Sequence, residues 1–175
     1  MPTPASEIVH HEIAAQIGRP LRAESRVVAA CHLGLPVVVE VPPLLDDGTP
    51  FPTRYWLTCP LAIKRIARLE SGGEVRRMEA RRQIDPVFAS ELASAHRRYE
   101  AERDELLPAD VHPRPRGGVA GALAGVKCLH AHYADHAAGN QNPVGSVVAP
   151  QIEPLDCTTP CVVAGTLNPD WREPR

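Results

Sequence analysis

Proline is the residue that most limits what this chain can fold into. The sequence has 19 prolines among 175 residues, and many of them fall in the opening segment, in 42–60 and in 108–115. Proline fixes φ and has no backbone N–H, so it interrupts both helices and sheet ladders. The proline distribution therefore predicts a chain of short elements joined by irregular loops.

Residue patterns between the prolines predict a small sheet near the N-terminus. The β-branched runs at 26–30 and 37–41 are separated by a turn over 31–36, which is typical of a hairpin, and 53–57 supplies a candidate third strand. A change to helical periodicity follows Cys59-Pro60. Helices are predicted over 7–17, from Leu61 to the Ser71-Gly72-Gly73 stop, over 74–83, over 85–107 and within 119–138.

These elements indicate an α+β fold, with a small antiparallel sheet packed with several helices. A chain of this length most readily forms one domain, and we expect that domain to cover residues 1–148. The Pro-rich residues 149–175 are expected to form a poorly ordered tail. The charged residues of helix 85–107 are expected to be a solvated face, with docking of a protein partner by helices 61–107 as the alternative.

Composition narrows the class of protein. The net charge is −2, which argues against a general nucleic-acid binder that neutralises phosphates. No apolar run is long enough to span a membrane, and the first residues lack the features of a secretory signal, so we expect a cytoplasmic protein. In that reducing compartment, the five cysteines are expected to be free, catalytic or metal-bound.

The densest group of candidate metal ligands lies in residues 126–136, VKCLHAHYADH. A strand would place Cys128, His130 and His132 on one face, whereas a helix would align Cys128, His132 and His136 and turn His130 away. Alanine-rich flanks and the Gly139-Asn140 stop favour the helix. We therefore predict Cys128 and His132 as a ligand pair, and we reserve His130 for another role.

A tetrahedral zinc site needs further donors. Cys59 precedes Pro60 at a predicted helix start, where amides and the helix dipole favour a thiolate. Cys31 lies in the hairpin turn. The predicted zinc ligands are therefore Cys31, Cys59, Cys128 and His132, and an iron–sulfur cluster is a less usual use of that set. The alternative is that these cysteines and the histidine are ordinary buried residues.

The other two cysteines and two arginine-containing segments are weaker candidates. Cys157 and Cys161 are expected to form a disulfide or to have no role. An anion site is predicted at a helix start by Arg114, Arg116, Gly117 and Gly118, with a flexible linker as the alternative. Arg54 next to Trp56 is expected either to hold a ligand near Cys59 or to lie over a Trp that covers the sheet.

Three blocks of sequence carry a resemblance to a known family. They are DGTPFPTRYWLTCP at 47–60, VKCLHAHYA at 126–134 and NPVG at 142–145. Together they resemble a bacterial family of unknown function, the domain numbered five-hundred-one, over about residues 18–148. The resemblance implies that the family pattern includes Cys31, Cys59, Cys128, His130 and His132. The family has no established reaction, so the resemblance implies no activity.

The function expected from these residues is metal-assisted hydrolysis of a small anionic substrate. Zinc with an open position would activate water, an arginine among Arg54, Arg114 and Arg116 would hold the substrate, and His130 or His136 would transfer the proton. One alternative is a metal-free thiolate or redox enzyme that pairs Cys59 with His132. Another is a non-catalytic protein-interaction module stapled by structural zinc.

Overall fold

The computed structural model describes residues 6–174. Residues 1–5 of the predicted domain and residue 175 of the predicted tail lie outside this range. It confirms the α+β fold class, with the sheet near the N-terminus. The described elements are α1 (Glu7–Ile17), β1 (Arg26–Ala30), β2 (Pro36–Glu40), β3 (Tyr55–Leu57), α2 (Pro60–Ser71), α3 (Glu74–Ile84), α4 (Pro86–Glu105), α5 (Leu129–Ala137), α6 (Pro143–Ile152), β4 (Val162–Val163) and β5 (Thr166–Leu167).

The sheet consists of three antiparallel strands in the order β1-β2-β3, and a separate short hairpin joins β4 to β5. The central strand β2 is buried over its first four residues, as its run of valines predicts. Its neighbour β3 aligns Leu57 with Val38 and Tyr55 with Glu40. The hairpin turn brings the N–H of Cys31 to the carbonyl of Leu35 at 2.9 Å.

Local start signals set the helices that follow the sheet. Pro60 occupies the first turn of α2, and the carboxylate of Asp85 caps α4 by accepting the N–H of Phe88 at 3.0 Å. The bounds of α2, α3 and α4 agree with the sequence patterns within two residues. Between residues 6 and 174, no helix combines the length and apolar character needed to cross a membrane.

The helix predicted within 119–138 is present as α5, but it occupies only the second half of that range. Residues 119–121 form one isolated turn, with Ala120 at φ 58°, and α5 begins only at Leu129. Gly121 and Gly125 also have positive φ, a conformation that an α-helix cannot contain. Cys128 is therefore the extended residue before α5 rather than part of a helix face.

The C-terminal segment, which was expected to be a poorly ordered tail, packs against the rest of the fold. Pro150 lies inside α6, and the chain after α6 packs against α2. The guanidinium of Arg65 donates to the carbonyls of Ile152 and Pro154 at 2.7 and 2.6 Å, and Lys64 lies 4.9 Å from the ring centroid of Trp171. The segment is ordered by contacts with Lys64 and Arg65 of α2, which are distant in sequence. The composition of 149–175 alone therefore does not predict this packing.

Helices α5 and α6 approach each other closely at Gly145. A Cβ atom at this glycine would meet the Cβ of His136 and lie 2.5 Å from the carbonyl oxygen of His132. The side chain of Asn142 starts α6 by accepting the N–H groups of Val144 and Gly145 at 3.1 and 3.0 Å. Two residues of the NPVG block thus have structural roles. Asn142 caps α6, and Gly145 allows α5 and α6 to cross closely.

We expect Gly145→Ala to lower the free energy of unfolding by about 1–3 kcal/mol, because the added methyl group has no space between the helices. Alanine otherwise favours a helix interior, so a loss of stability isolates the crossing as the cause. Urea unfolding measures the change. Ser146→Ala in the same helix, at an exposed position, should stay within about 0.5 kcal/mol of the wild type. An unchanged or raised stability of Gly145→Ala would contradict this packing.

Candidate metal centre

Three side chains from two parts of the chain converge at the start of α5. Glu70, Cys128 and His130 each offer one ligand atom, and these atoms lie within 4.8 Å of one another. The Nδ1 of His130 is 3.7 Å from the Sγ of Cys128 and 3.2 Å from Oε1 of Glu70. Across residues 6–174, no other set of three or more His, Cys, Asp and Glu side chains is as close.

Backbone groups orient this Glu70–Cys128–His130 site. Oε1 of Glu70 also accepts the N–H of Leu129 at 2.7 Å, which ties the last turn of α2 to the first residue of α5. The Nε2 of His130 lies 3.2 Å from the carbonyl oxygen of Ile63 and donates its proton there. Nδ1 is therefore the ring nitrogen that faces the carboxylate and the thiol.

The charges of the site favour a cation between its three side chains. Burial lowers the pKa of His130, but contact with Cys128 and the charge of Glu70 outweigh it and raise the pKa to about 9. An imidazolium proton thus fills the position between sulfur and carboxylate at neutral pH. A metal ion that displaces this proton would find one sulfur, one nitrogen and one oxygen ligand already grouped.

The site is accessible from solvent. The side chains of His130 and Glu70 are 24% and 28% exposed, and Cys128 is half-buried. Three protein ligands leave at least one coordination position for water, as in catalytic zinc sites. A histidine that donates its second ring nitrogen to a backbone carbonyl is the usual outer arrangement of such ligands. Sulfur, nitrogen and oxygen together suit zinc among the common divalent ions.

His132, the histidine predicted as a ligand, lies elsewhere. It is fully buried, and its Nδ1 donates to Oδ1 of Asn142 at 3.1 Å. Its ring packs edge-on against that of His96, with 5.7 Å between the centroids. Because α5 starts at Leu129, the extended Cys128 is not aligned with His132. The structure therefore does not bring His132 into the group formed with Cys128.

The environment of His132 is a polar network that joins three helices. Asn142 also donates to Oδ2 of the fully buried Asp135 at 2.9 Å, and Arg98 of α4 donates to the same oxygen at 2.5 Å. His136, predicted to transfer a proton, lines a neighbouring cleft of about 700 Å³ with Arg98. His136 thus lies beside the cleft, whereas His130 faces α2.

The structure does not bring the four predicted zinc ligands together. Cys59 is 6% exposed at the start of α2, and Cys31 is half-buried at the hairpin turn. Neither belongs to the Glu70–Cys128–His130 site. Burial raises the pKa of Cys59 to about 11 and outweighs the N–H groups of Leu61 and Ala62, so the helix start does not produce the expected thiolate.

The predicted anion site is not formed at a helix start. The N–H of Gly117 donates to the carboxylate of Glu100 at 3.2 Å, and the N–H of Gly118 donates to the carbonyl of Ala122 at 2.9 Å. Arg114 binds two carbonyl oxygens near the end of α4, and Arg116 is exposed. The glycines serve close packing instead, since a Cβ at Gly118 would overlap His96.

Arg54 is also engaged within the fold. Its guanidinium donates to Oε1 of Glu40 at 2.6 Å, lies 5.4 Å from the ring centroid of Tyr55 and is almost completely buried. Trp56 stacks with Phe51 instead. The expected clamp of Arg54 and Trp56 near Cys59 does not match these contacts, because Glu40 and Tyr55 hold the guanidinium of Arg54 while Trp56 packs with Phe51.

Sequence reasoning missed Glu70. It belongs to the charged residues of α2, and nothing in its local pattern distinguishes it from a solvated side chain. The relevant signal is the position of Glu70 next to the Ser71-Gly72-Gly73 stop, since residues at the end of a helix are free to face a neighbouring segment. That signal is weak without knowledge of where α5 begins.

Because His132 is buried, we expect the free energy of unfolding to decrease in acid. Burial lowers its pKa to about 4, below the ordinary value of 6.5. The folded state therefore excludes a proton that the unfolded state binds, and stability falls as the pH decreases from about 6.5 to 4, by at most about 1.4 kcal/mol per pH unit from this group. Urea unfolding as a function of pH measures this. His132→Gln should have a flatter profile over that range, and equal slopes would contradict the assignment.

Comparison with known proteins gives one result. The family model described as "Protein of unknown function (DUF501)" matches residues 27–150. This range includes the sheet except Arg26, α2 to α5, most of α6 and all three residues of the Glu70–Cys128–His130 site. No curated protein matches the chain significantly, and no solved structure does. The family match covers well over half of the 175 residues, and the chain belongs to the DUF501 family of proteins of unknown function.

Proposed function

We propose that this protein is a metal-binding protein whose Glu70–Cys128–His130 site holds a zinc ion. The observation that carries the proposal is the convergence of the three ligand atoms within 4.8 Å. The residues come from α2 and from the start of α5, and the Glu70–Leu129 hydrogen bond fixes these two segments together. The site is therefore assembled by the fold before any metal arrives.

The chemistry supported by this geometry is activation of a water molecule. With three protein ligands, a bound zinc ion would keep an open position and would lower the pKa of a water molecule there towards neutrality. Partial exposure of Glu70 and His130 gives water and substrate access to that position. Metal-assisted hydrolysis is the reaction class that follows. Because Arg54 and Arg114 are bound within the fold, they do not support an anionic substrate at this site.

We expect Cys128→Ser and Glu70→Gln each to lower the zinc content of the purified protein by about one ion per chain, because each removes one of three ligands. Elemental analysis of protein prepared without an affinity tag measures the difference from the wild type. Circular dichroism establishes that each variant is folded.

His136→Gln is the matched control, since it alters a histidine of α5 that lines the cleft beside Arg98. Its zinc content should equal that of the wild type. The proposal fails if the wild type and Cys128→Ser contain the same amount of zinc, or if the His136 variant loses as much as the two ligand variants.

A metal-free nucleophile is a second candidate function. The 3.7 Å contact between Cys128 and His130 is the arrangement of a nucleophilic cysteine beside a histidine, with Glu70 as the third group that orients the ring. In this case Cys128 replaces Cys59 as the reactive thiol. The extended backbone at Cys128 and its partial exposure leave the sulfur accessible.

The two candidates differ in the reactivity of Cys128. For the metal-free nucleophile, iodoacetamide should alkylate Cys128 at pH 7 faster than a free model thiol, and His130→Gln should remove the acceleration. Peptide mass spectrometry after timed quenching measures the rate. Cys59, with its pKa of about 11, should remain unmodified in the same sample. A rate no higher than that of the model thiol, in chelator-treated protein, would exclude this candidate.

A further inference from the structure

The remaining four cysteines lie around the hairpin turn. The N–H of Cys31 donates to the carbonyl of Leu35 at 2.9 Å, and the N–H of Cys59 reaches the carbonyl of Val37 at 3.4 Å. These contacts place both residues at the beginning of β2. One residue is therefore held by the turn itself, and the other by the strand that follows it.

The C-terminal segment brings the other two cysteines to the same place. The amide of Gln16 donates both to the carbonyl of Pro36 at 2.9 Å and to the Sγ of Cys161 at 3.6 Å. The ring of His32 contacts the carbonyl oxygen of Cys157 at 2.9 Å. His32 thus links Cys157 to the hairpin turn, and Gln16 links Cys161 to Pro36. His32 and Cys157 are 125 positions apart in the sequence.

The four side chains also share one packing environment. Cys161 is buried with Leu35, and both Cys31 and Trp171 pack against them. Cys59 belongs to the main core, against which Cys31, Cys157 and Trp171 pack as well. All four thiols are free. Their mutual influence is consistent with proximity, since ionised Cys157 and Cys161 would each raise the pKa of Cys59.

Hydrogen-bond donors point at the sulfur atoms. The indole Nε1–H of Trp171 donates to the Sγ of Cys157 at 3.4 Å, and Gln16 donates to that of Cys161. Cys59 lies at the start of α2 with the N–H groups of Leu61 and Ala62 directed to it. Donors of this kind support metal-bound thiolates and tune iron–sulfur clusters.

We propose that Cys31, Cys59, Cys157 and Cys161 form a second metal centre, in which four thiolates hold an iron–sulfur cluster. No three of their sulfur atoms lie within 4.8 Å of one another, which is too far apart for four bonds to one zinc ion. In a four-iron cluster each cysteine binds a different iron atom, so the four sulfur atoms are spaced more widely. The centre is independent of the Glu70–Cys128–His130 site and fastens the C-terminal segment to the hairpin and to the start of α2. It accounts for Cys157 and Cys161 as ligands rather than as a disulfide of a loose tail.

The test is the metal content of the full chain purified without oxygen and without an affinity tag. Zinc, iron and acid-labile sulfide are measured in the wild type, Cys157→Ser, Cys161→Ser and Cys128→Ser. We expect the first two variants to lose one metal centre that Cys128→Ser keeps. Iron with acid-labile sulfide and visible absorption, present in the wild type and Cys128→Ser and lost in the first two variants, supports the proposal. Zinc without iron, or no metal, contradicts it.

A second kind of variant tests the proposal without removing a cysteine, in case the cysteine variants do not fold. Trp171→Phe keeps all four thiols and removes only the N–H donor to Cys157, so it should release the metal to a chelator faster than the wild type. Limited proteolysis should cleave residues 153–174 faster in Cys157→Ser and in chelator-treated wild type. Equal metal contents in the wild type and Cys157→Ser, or a Cys157–Cys161 disulfide in the anaerobic protein, would overturn the proposal.

Discussion

The carboxylate of Glu70 determines where α5 begins, and much of the molecule depends on that point. By accepting the N–H of Leu129, it takes the place of a capping side chain at a helix whose preceding residue is a cysteine that makes no such cap. A helix that began nearer to residue 119 would have turned Cys128 and His132 to one face. The observed start instead exposes Cys128 beside His130 and sends His132 into the core.

This single boundary separates two kinds of histidine. His130 lies between a carboxylate and a thiol, and these contacts raise its pKa to about 9. His132 is buried with one amide partner, and burial lowers its pKa to about 4. The difference arises from the direction of each side chain on a short helix and not from residue type. A histidine-rich block therefore serves two purposes, with one ring at an accessible site and another inside a network that joins α4, α5 and α6.

Local signals were sufficient for most of the fold. The hairpin followed from two β-branched runs with a turn between them, and α4 followed from Asp85-Pro86, because both features act over a few residues. The start of α5 did not follow, since it depends on Glu70 from another helix. The packing of Cys157 was also hidden, because Arg65 and Lys64 hold that segment from far away in sequence.

The candidate site was predictable only in part for the same reason. Cys128 and His130 are two residues apart and belong to a dense block of ligand types, so the sequence drew attention to them. Their grouping with Glu70 needed the tertiary fold. Cys31 and Cys59 were predicted to join Cys128, but sequence spacing could not reveal that the turn and the start of β2 hold them away from the Glu70–Cys128–His130 site.

The contacts between α2 and residues 152–173 have a consequence for the order of assembly during synthesis. The hairpin and α2 emerge from the ribosome long before Cys157 and Trp171, and domains fold progressively as they are made. Until the later residues arrive, the basic face of α2 and the thiols beside β2 stay uncovered. Closing so long a loop is an entropically costly late step, which gives the nascent protein an interval in which those thiols are open to chaperones, oxidants or metal carriers.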